Sequence, residues 1–233
     1  MFLLTRSLID SLRTAGCVFA EQEAELLLEA ATSPQDLSIL LARRVAGEPL
    51  EHVVGWATFC GLRILLDSGA FVPRRRTELL AQQAISLLSL HATDIDPREV
   101  ACARRNLRGP VYEGDLFSPL PQHLRGRVDL VLASTPYVPT GAIRLLPAEA
   151  RLHEPWVALD GGEDGLDVVR RIVLEAPEWL SSIGSLLLET SERQASRVVT
   201  TCSAAGFTAR IVRCEDRDAT VVVAGYTSST ESR

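Results

Sequence analysis

Val128-Asp129-Leu130-Val131-Leu132-Ala133-Ser134-Thr135-Pro136-Tyr137-Val138-Pro139 is the stretch on which the fold turns. Its first six residues are a short apolar run broken by one acid, the pattern of a strand covered on both faces. The run stops at two hydroxyl residues, a proline and a tyrosine. A proline turn holds backbone carbonyls in fixed positions, and the aromatic ring supplies a wall. Those parts suit a planar NH2 substrate, which needs acceptors for its hydrogens and a flat surface to lie on.

Strand and helix signals alternate on both sides of this stretch. The remaining candidate strands are His91–Asp94, Val111–Tyr112, Ser185–Glu189, Ala209–Val212 and Thr220–Ala224. Candidate helices are Glu78–Leu88, Pro97–Leu107, Leu166–Leu180 and Arg193–Ala205. The alternation predicts an α/β fold with a mainly parallel sheet covered by helices. Ahead of it, Trp56 to Asp67 reads as a hairpin turning at Cys60-Gly61. Residues 1 to about 46 read as helical, with Ser33 as a cap before Pro34 and Asp36, and Gly47 as a stop.

The composition narrows the chemistry. The chain has 233 residues, 46% hydrophobic and 23% charged, which is an ordinary globular balance. All 24 basic residues are arginine. Without lysine there is no P-loop lysine, no Schiff base and no lysine general base. The net charge of −6 argues against broad nucleic-acid binding, so no direct nucleic-acid partner is expected. The 5 cysteines form no C-x-x-C pair and the histidines recur in no ligand spacing, so no metal is expected. Reduced thiols and the absence of a signal peptide or an 18-residue apolar run point to a cytoplasmic chain with no membrane segment.

Two acids complete the candidate chemistry. Asp94 ends the strand of His91-Ala-Thr-Asp94-Ile-Asp96-Pro97, where nucleotide-binding folds place a carboxylate that accepts from ribose hydroxyls. The same residue type at that place also serves as a capping device. Asp115, in Gly114-Asp115-Leu116-Phe117, can accept from an exocyclic amine with Leu116 or Phe117 against its ring, or simply make an Asx turn.

With these segments in order, the chain resembles the protein N5-glutamine methyltransferases that act on peptide-chain release factors. The resemblance runs through Gly47-Glu48-Pro49-Leu50, Val54-Gly55, Phe71-Val72-Pro73-Arg74 with Thr77-Glu78, Asp94, Gly114–Phe117 and Ser134–Tyr137. It continues through Glu149-Ala150-Arg151, Glu154-Pro155, Ala158–Asp167 and Leu186–Glu189 with Gln194. It implies a class I S-adenosylmethionine-dependent methyltransferase sheet of Rossmann-like type behind a small N-terminal helical domain. The domains would be 1–50 for substrate docking, 51–70 as a hairpin linker, 71–226 as the methyltransferase-like unit and 227–233 as a disordered tail. Asp94, Asp115, Leu116 and Ser134 would bind the cofactor. Ser134, Thr135, Pro136 and Tyr137 would bind the glutamine amide, with Ser134, Pro136 and Tyr137 at the point of transfer.

Two departures stand out. The family places a strand ending in D-x-G-x-G-x-G before the ribose acid. Here only the 13 residues Ala81 to Thr93 lie between Leu80 and Asp94, and none is glycine. They cannot hold a further parallel strand and its crossover, so the sheet is expected to lack its first, central strand. The second is Ser134-Thr135-Pro136-Tyr137 in place of N-P-P-Y. A hydroxyl is shorter than an asparagine amide and offers one oxygen. These departures leave two alternatives: a catalytically impaired relative that retains protein binding, and, with less support, an adenine N6-methyltransferase.

Overall fold

The computed structural model describes residues 2–82 and 89–226. The chain opens with four helices, α1 (Phe2–Thr14), α2 (Ala20–Ala30), α3 (Pro34–Val45) and α4 (Leu50–Val54). Their apolar faces meet in a core of Leu8, Leu12, Ala20, Ala24, Leu27, Leu40 and Val53. The start of α3 is a reciprocal cap: Ser33 Oγ accepts from Asp36 N–H at 3.1 Å, and Asp36 Oδ2 accepts from Thr32 N–H at 2.8 Å. Arg44, near the end of α3, pairs with Glu23 at 2.6 Å and reaches Glu149 at 2.5 Å. The second contact ties the helical module to the later part of the chain.

Next comes the hairpin of β1 (Trp56–Phe59) and β2 (Leu62–Leu65), joined by Cys60 and Gly61 at φ 50° and 75°. Two successive positive φ values make the two-residue turn whose twist matches antiparallel strands. The chain then runs through α5 (Thr77–Gln82), β3 (Ala92–Asp94), α6 (Pro97–Asn106), β4 (Val111–Glu113) and β5 (Val128–Ala133). After β5 come α7 (Ala148–His153), α8 (Trp156–Leu159), α9 (Asp167–Trp179), β6 (Leu180–Thr190), α10 (Glu192–Ala204), β7 (Phe207–Cys214) and β8 (Ala219–Tyr226). The second half of the expected helix 78–88 and the expected tail 227–233 lie outside the described residues.

The α/β architecture is as the alternation predicts, but the sheet is mixed rather than mainly parallel. One sheet has the order β5-β6-β8-β7, with β5 parallel to β6 and the β6–β8 and β7–β8 pairs antiparallel. The reason lies in the last connection. Between β7 and β8 there is only the turn at Glu215–Arg217, closed by Asp218 at φ 48°, which is too short for a crossover.

β3 and β4 pair parallel with each other in a separate two-stranded sheet. Among the described residues β5 pairs with β6 on one side and with no strand on the other. The sheet is therefore interrupted between β3 and β5, where the sequence lacks its strand and glycine turn. Burial follows the interruption. Leu186 and Leu188 in β6 are 0% exposed, whereas Leu130, Val131, Leu132 and Ala133 in β5 are only half-buried.

The main core joins the inner face of β6 and β8 to α9 and α10 through Leu166, Val169, Val173, Trp179, Leu186, Leu188, Val198 and Val222. Phe117, from the loop after β4, enters this core and stacks on Trp179 at 5.8 Å. That contact anchors the β4 loop although its strand belongs to the other sheet.

Candidate functional site

All the candidate residues sit at or just beyond the carboxyl ends of parallel strands, the edge at which open α/β sheets bind ligands. Asp94 is the last residue of β3, Asp115 follows β4 by two residues, and Ser134 directly follows β5.

Asp94 is half-buried, and its carboxylate accepts Asp96 N–H at 2.9 Å. Burial holds its pKa above the ordinary carboxylate value. Asp96 takes the capping role instead: it accepts Arg98 N–H at 2.9 Å at the start of α6. The backbone carbonyl of Asp94 accepts Gly114 N–H at 2.9 Å, which pins the loop bearing Asp115 to the end of β3. Asp115 is engaged by Arg171 of α9 at 2.6 Å. Leu116 adopts a left-handed φ of 49° and packs against the main core. Near Asp94 on α6, Glu99 accepts Phe71 N–H at 2.5 Å. Burial pushes its pKa up to about 7, with the neighbouring Asp94 and Asp96 charges adding to the shift.

The turn after β5 is fixed from several directions. Gln194 Nε2 donates to the Tyr137 carbonyl at 3.0 Å and to the Asp164 carbonyl at 3.1 Å, while its Oε1 accepts from Ser191 Oγ at 2.6 Å. Val138 N–H donates to the Leu159 carbonyl at 3.2 Å, and Gly161 N–H returns to the Val138 carbonyl at 2.9 Å. Two glycines allow this close approach. A Cβ on Gly161 would lie 2.7 Å from the Pro136 carbonyl oxygen, and one on Gly165, at φ 77°, would lie 2.3 Å from that of Tyr137. The Gly161–Gly165 segment thus serves as the bed of the Ser134–Tyr137 turn.

Ser134 is exposed and donates its hydroxyl proton to Glu189 Oε2 at 3.1 Å. Glu189, near the end of β6, is 2% exposed. Arg76 Nε stands 3.9 Å from the other carboxylate oxygen, and its guanidinium lies over the Tyr137 ring at 5.7 Å from the centroid. Burial raises the Tyr137 hydroxyl pKa, so the ring is neutral at physiological pH. Thr135 is buried, and its hydroxyl has no hydrogen-bond partner among the described residues. Arg74, Arg75, Arg76, Arg217 and Asp218 line a cavity of about 290 Å³ beside the turn.

Among the described residues, no hydrogen bond or ion pair joins Asp94 or Asp115 to the Ser134 turn, and no group of three or more His, Cys, Asp or Glu side chains could hold a metal. No helix among them is long and apolar enough to cross a membrane. Sequence reasoning passed over Glu189 as a site residue, although it carries the signal that singled out Asp94: an acid closing an apolar strand. In the structure Arg74 is turned to the buried Glu154, and Arg76 faces Tyr137.

No family model matches the chain. A release factor glutamine methyltransferase of Geobacter sulfurreducens is 33% identical over 210 residues, covering 75% of this chain and 73% of its own. One of Bradyrhizobium diazoefficiens is 30% identical over 256 residues, covering 87% and 86%. A ribosomal protein uL3 glutamine methyltransferase of Burkholderia pseudomallei is 40% identical over 129 residues, covering 51% and 42%. The crystal structure of a release-factor-specific protein-(glutamine-N5) methyltransferase from Alicyclobacillus acidocaldarius matches with a TM-score of 0.39 at 19% identity, over 67% of this chain and 94% of that one.

The Geobacter alignment spans 210 residues but takes in 75% of a 233-residue chain, about 175 residues, so about 35 of its positions are unmatched here, the size of one strand–loop–helix unit.

Proposed function

The chain belongs to the release factor glutamine methyltransferase family, and on that premise we propose that it methylates the side-chain amide nitrogen of a release-factor glutamine held at Ser134–Tyr137. The observation that carries this reading is the clamped turn itself. Gln194, Gly161 and Gly165 hold it rigidly at the ligand-binding edge of the sheet, with the Tyr137 ring beside an exposed Ser134 hydroxyl. A release factor is preferred to a ribosomal protein as substrate because the relatives named for release factors match over more of this chain than the uL3 relative does.

Each part has a chemical role. An amide nitrogen is a poor nucleophile because its lone pair is delocalised into the carbonyl. Acceptors on both N–H groups return electron density to it and fix its direction. Ser134 Oγ supplies one acceptor. A backbone carbonyl of the turn ahead of Tyr137 would supply the other, since the Tyr137 carbonyl is already taken by Gln194. The Tyr137 ring, with Arg76 across it, orients the amide plane. The remaining contribution is proximity and alignment, so no acid–base dyad is required.

S-adenosylmethionine, when bound, supplies the methyl group on a sulfonium. The residues present fit its adenosine end. Asp94 is a half-buried carboxylate with no cation paired to it among the described residues, so it has acceptor capacity for ribose hydroxyls. Asp115, Leu116 and Ser134 are the further proposed contacts. At the methionine end, among the described residues, no glycine-rich turn follows a central strand. That observation favours weak cofactor binding and supports a second reading, a relative that docks a release factor without methylating it.

The two readings separate in one experiment. The protein is incubated with a release factor, its Gln→Ala variant and ribosomal protein uL3 in the presence of methyl-labelled S-adenosylmethionine at millimolar concentration. Label on the native release factor alone is expected. Equal labelling of the Gln→Ala variant rejects the glutamine as target, and binding of the release factor without any label selects the docking-only relative.

A further inference from the structure

Glu189 is a charged group in an expensive place. It is 2% exposed, yet among the described residues its only polar side-chain partners are the Ser134 hydroxyl at 3.1 Å and the Arg76 Nε at 3.9 Å, beyond hydrogen-bond distance. A buried carboxylate normally collects several donors. This one has a single hydrogen bond, and it comes from an exposed residue of the candidate amide turn. We propose that Glu189 is a positioning residue that fixes the Ser134 hydroxyl as a hydrogen-bond acceptor toward the substrate amide.

The physical reasoning starts from the ambiguity of a hydroxyl. A free serine rotates and can present either its proton or its lone pairs to a ligand. A carboxylate has no proton to give, so a hydroxyl beside it must donate to it. Ser134 therefore commits its one proton inward to Glu189. Both oxygen lone pairs are then left for the solvent side, where an amide N–H would arrive. An asparagine needs no such help, because its carbonyl oxygen accepts in any setting. The Ser134–Glu189 pair thus does jointly what an asparagine at position 134 would do alone. Arg76 completes the arrangement by facing both the Glu189 carboxylate and the Tyr137 ring.

This inference rests on the reading of Ser134–Tyr137 as the glutamine site, and its test uses binding in the absence of cofactor. The readout is the ratio of affinities for a release factor and its Gln→Ala variant, measured by calorimetry. The native chain is expected to prefer the glutamine form by about tenfold, the yield of one good hydrogen bond to a buried-edge acceptor. In E189Q the new amide can donate to Ser134 Oγ and turn its proton outward, so the ratio should fall to about one. S134A should lose the preference equally. The S134N/E189Q double variant should regain it, because the asparagine accepts without a partner.

A merely structural role for Glu189 would lower the melting temperature of E189Q and leave S134N/E189Q as weak as E189Q. That outcome overturns the proposal, as does an E189Q or S134A protein that keeps the native ratio. A native chain with no preference between the two release factors overturns the glutamine site itself and this inference with it.

Discussion

The two flanks of the candidate site stand on scaffolds of different quality. The proposed acceptor flank, carrying Ser134, Tyr137 and Glu189, grows out of β5 and β6 in a four-stranded sheet whose inner face is packed by α9 and α10. The proposed cofactor flank, carrying Asp94 and Asp115, grows out of a two-stranded ribbon of three-residue strands. Local sequence signals are similar on both flanks: a short apolar run, then an acid or hydroxyl, then a turn. The difference is in the neighbours. A strand gains its burial from the strands beside it, and among the described residues β3 and β5 each have a paired strand on one side only. The polar end of a site can thus survive while the framework that aligns it with the other end is cut.

The contrast is most sharply tested by core truncation. Leu188→Ala in β6 removes a side chain that is fully buried, and should cost about 3–4 kcal/mol in urea unfolding. Val111→Ala in β4 should cost only about 1–2 kcal/mol, for two methyl groups at the margin of the core. Equal losses at the two positions would mean that the ribbon is as well supported as the sheet.

A smaller effect tests the electrostatics of the cofactor flank. Glu99 on α6 has its pKa raised from 4.5 to about 7, chiefly by burial. A raised folded-state value means that the protonated form is the favoured one in the native protein. Its contribution is fully present below pH 4.5 and is lost as pH rises through about 7. Glu99→Gln should therefore match the native chain near pH 4 and exceed it by at most about 1 kcal/mol at pH 8, once solvent screening is allowed for. A variant that is less stable than the native chain at pH 8 would show that the charged carboxylate supports the Phe71 amide and does not strain the site.

Much of this arrangement is legible in the sequence because it depends on local rules. The cap at Ser33, the turn at Cys60-Gly61, the boundaries of β5 and the acid ending β3 all follow from residues within a few positions. The break in the sheet is legible too, since thirteen residues without glycine cannot hold a strand and its crossover. The mixed strand directions are harder to read, because the four-residue stretch Glu215-Asp216-Arg217-Asp218 between β7 and β8 does not announce a hairpin by composition alone. Glu189 was hidden for a different reason. Its meaning depends on Ser134, 55 residues away, and on the parallel pairing that brings the ends of β5 and β6 together. Arg76 likewise gains its place only when the segment after β2 folds back across the Tyr137 ring.

The divided scaffold makes one quantity decisive, the affinity for S-adenosylmethionine. On the proposed reading Asp94 serves the adenosine end, while Ala81 to Thr93 holds no glycine for a turn at the methionine end, so calorimetric titration of the native chain should show binding no tighter than about 100 μM. Inserting one strand–glycine turn–helix unit of about 35 residues between Gln82 and Ala92 should tighten it at least about tenfold. One-to-one binding of the native chain in the low micromolar range, unchanged by the insertion, would contradict the claim that the break between β3 and β5 has opened the cofactor end of the site.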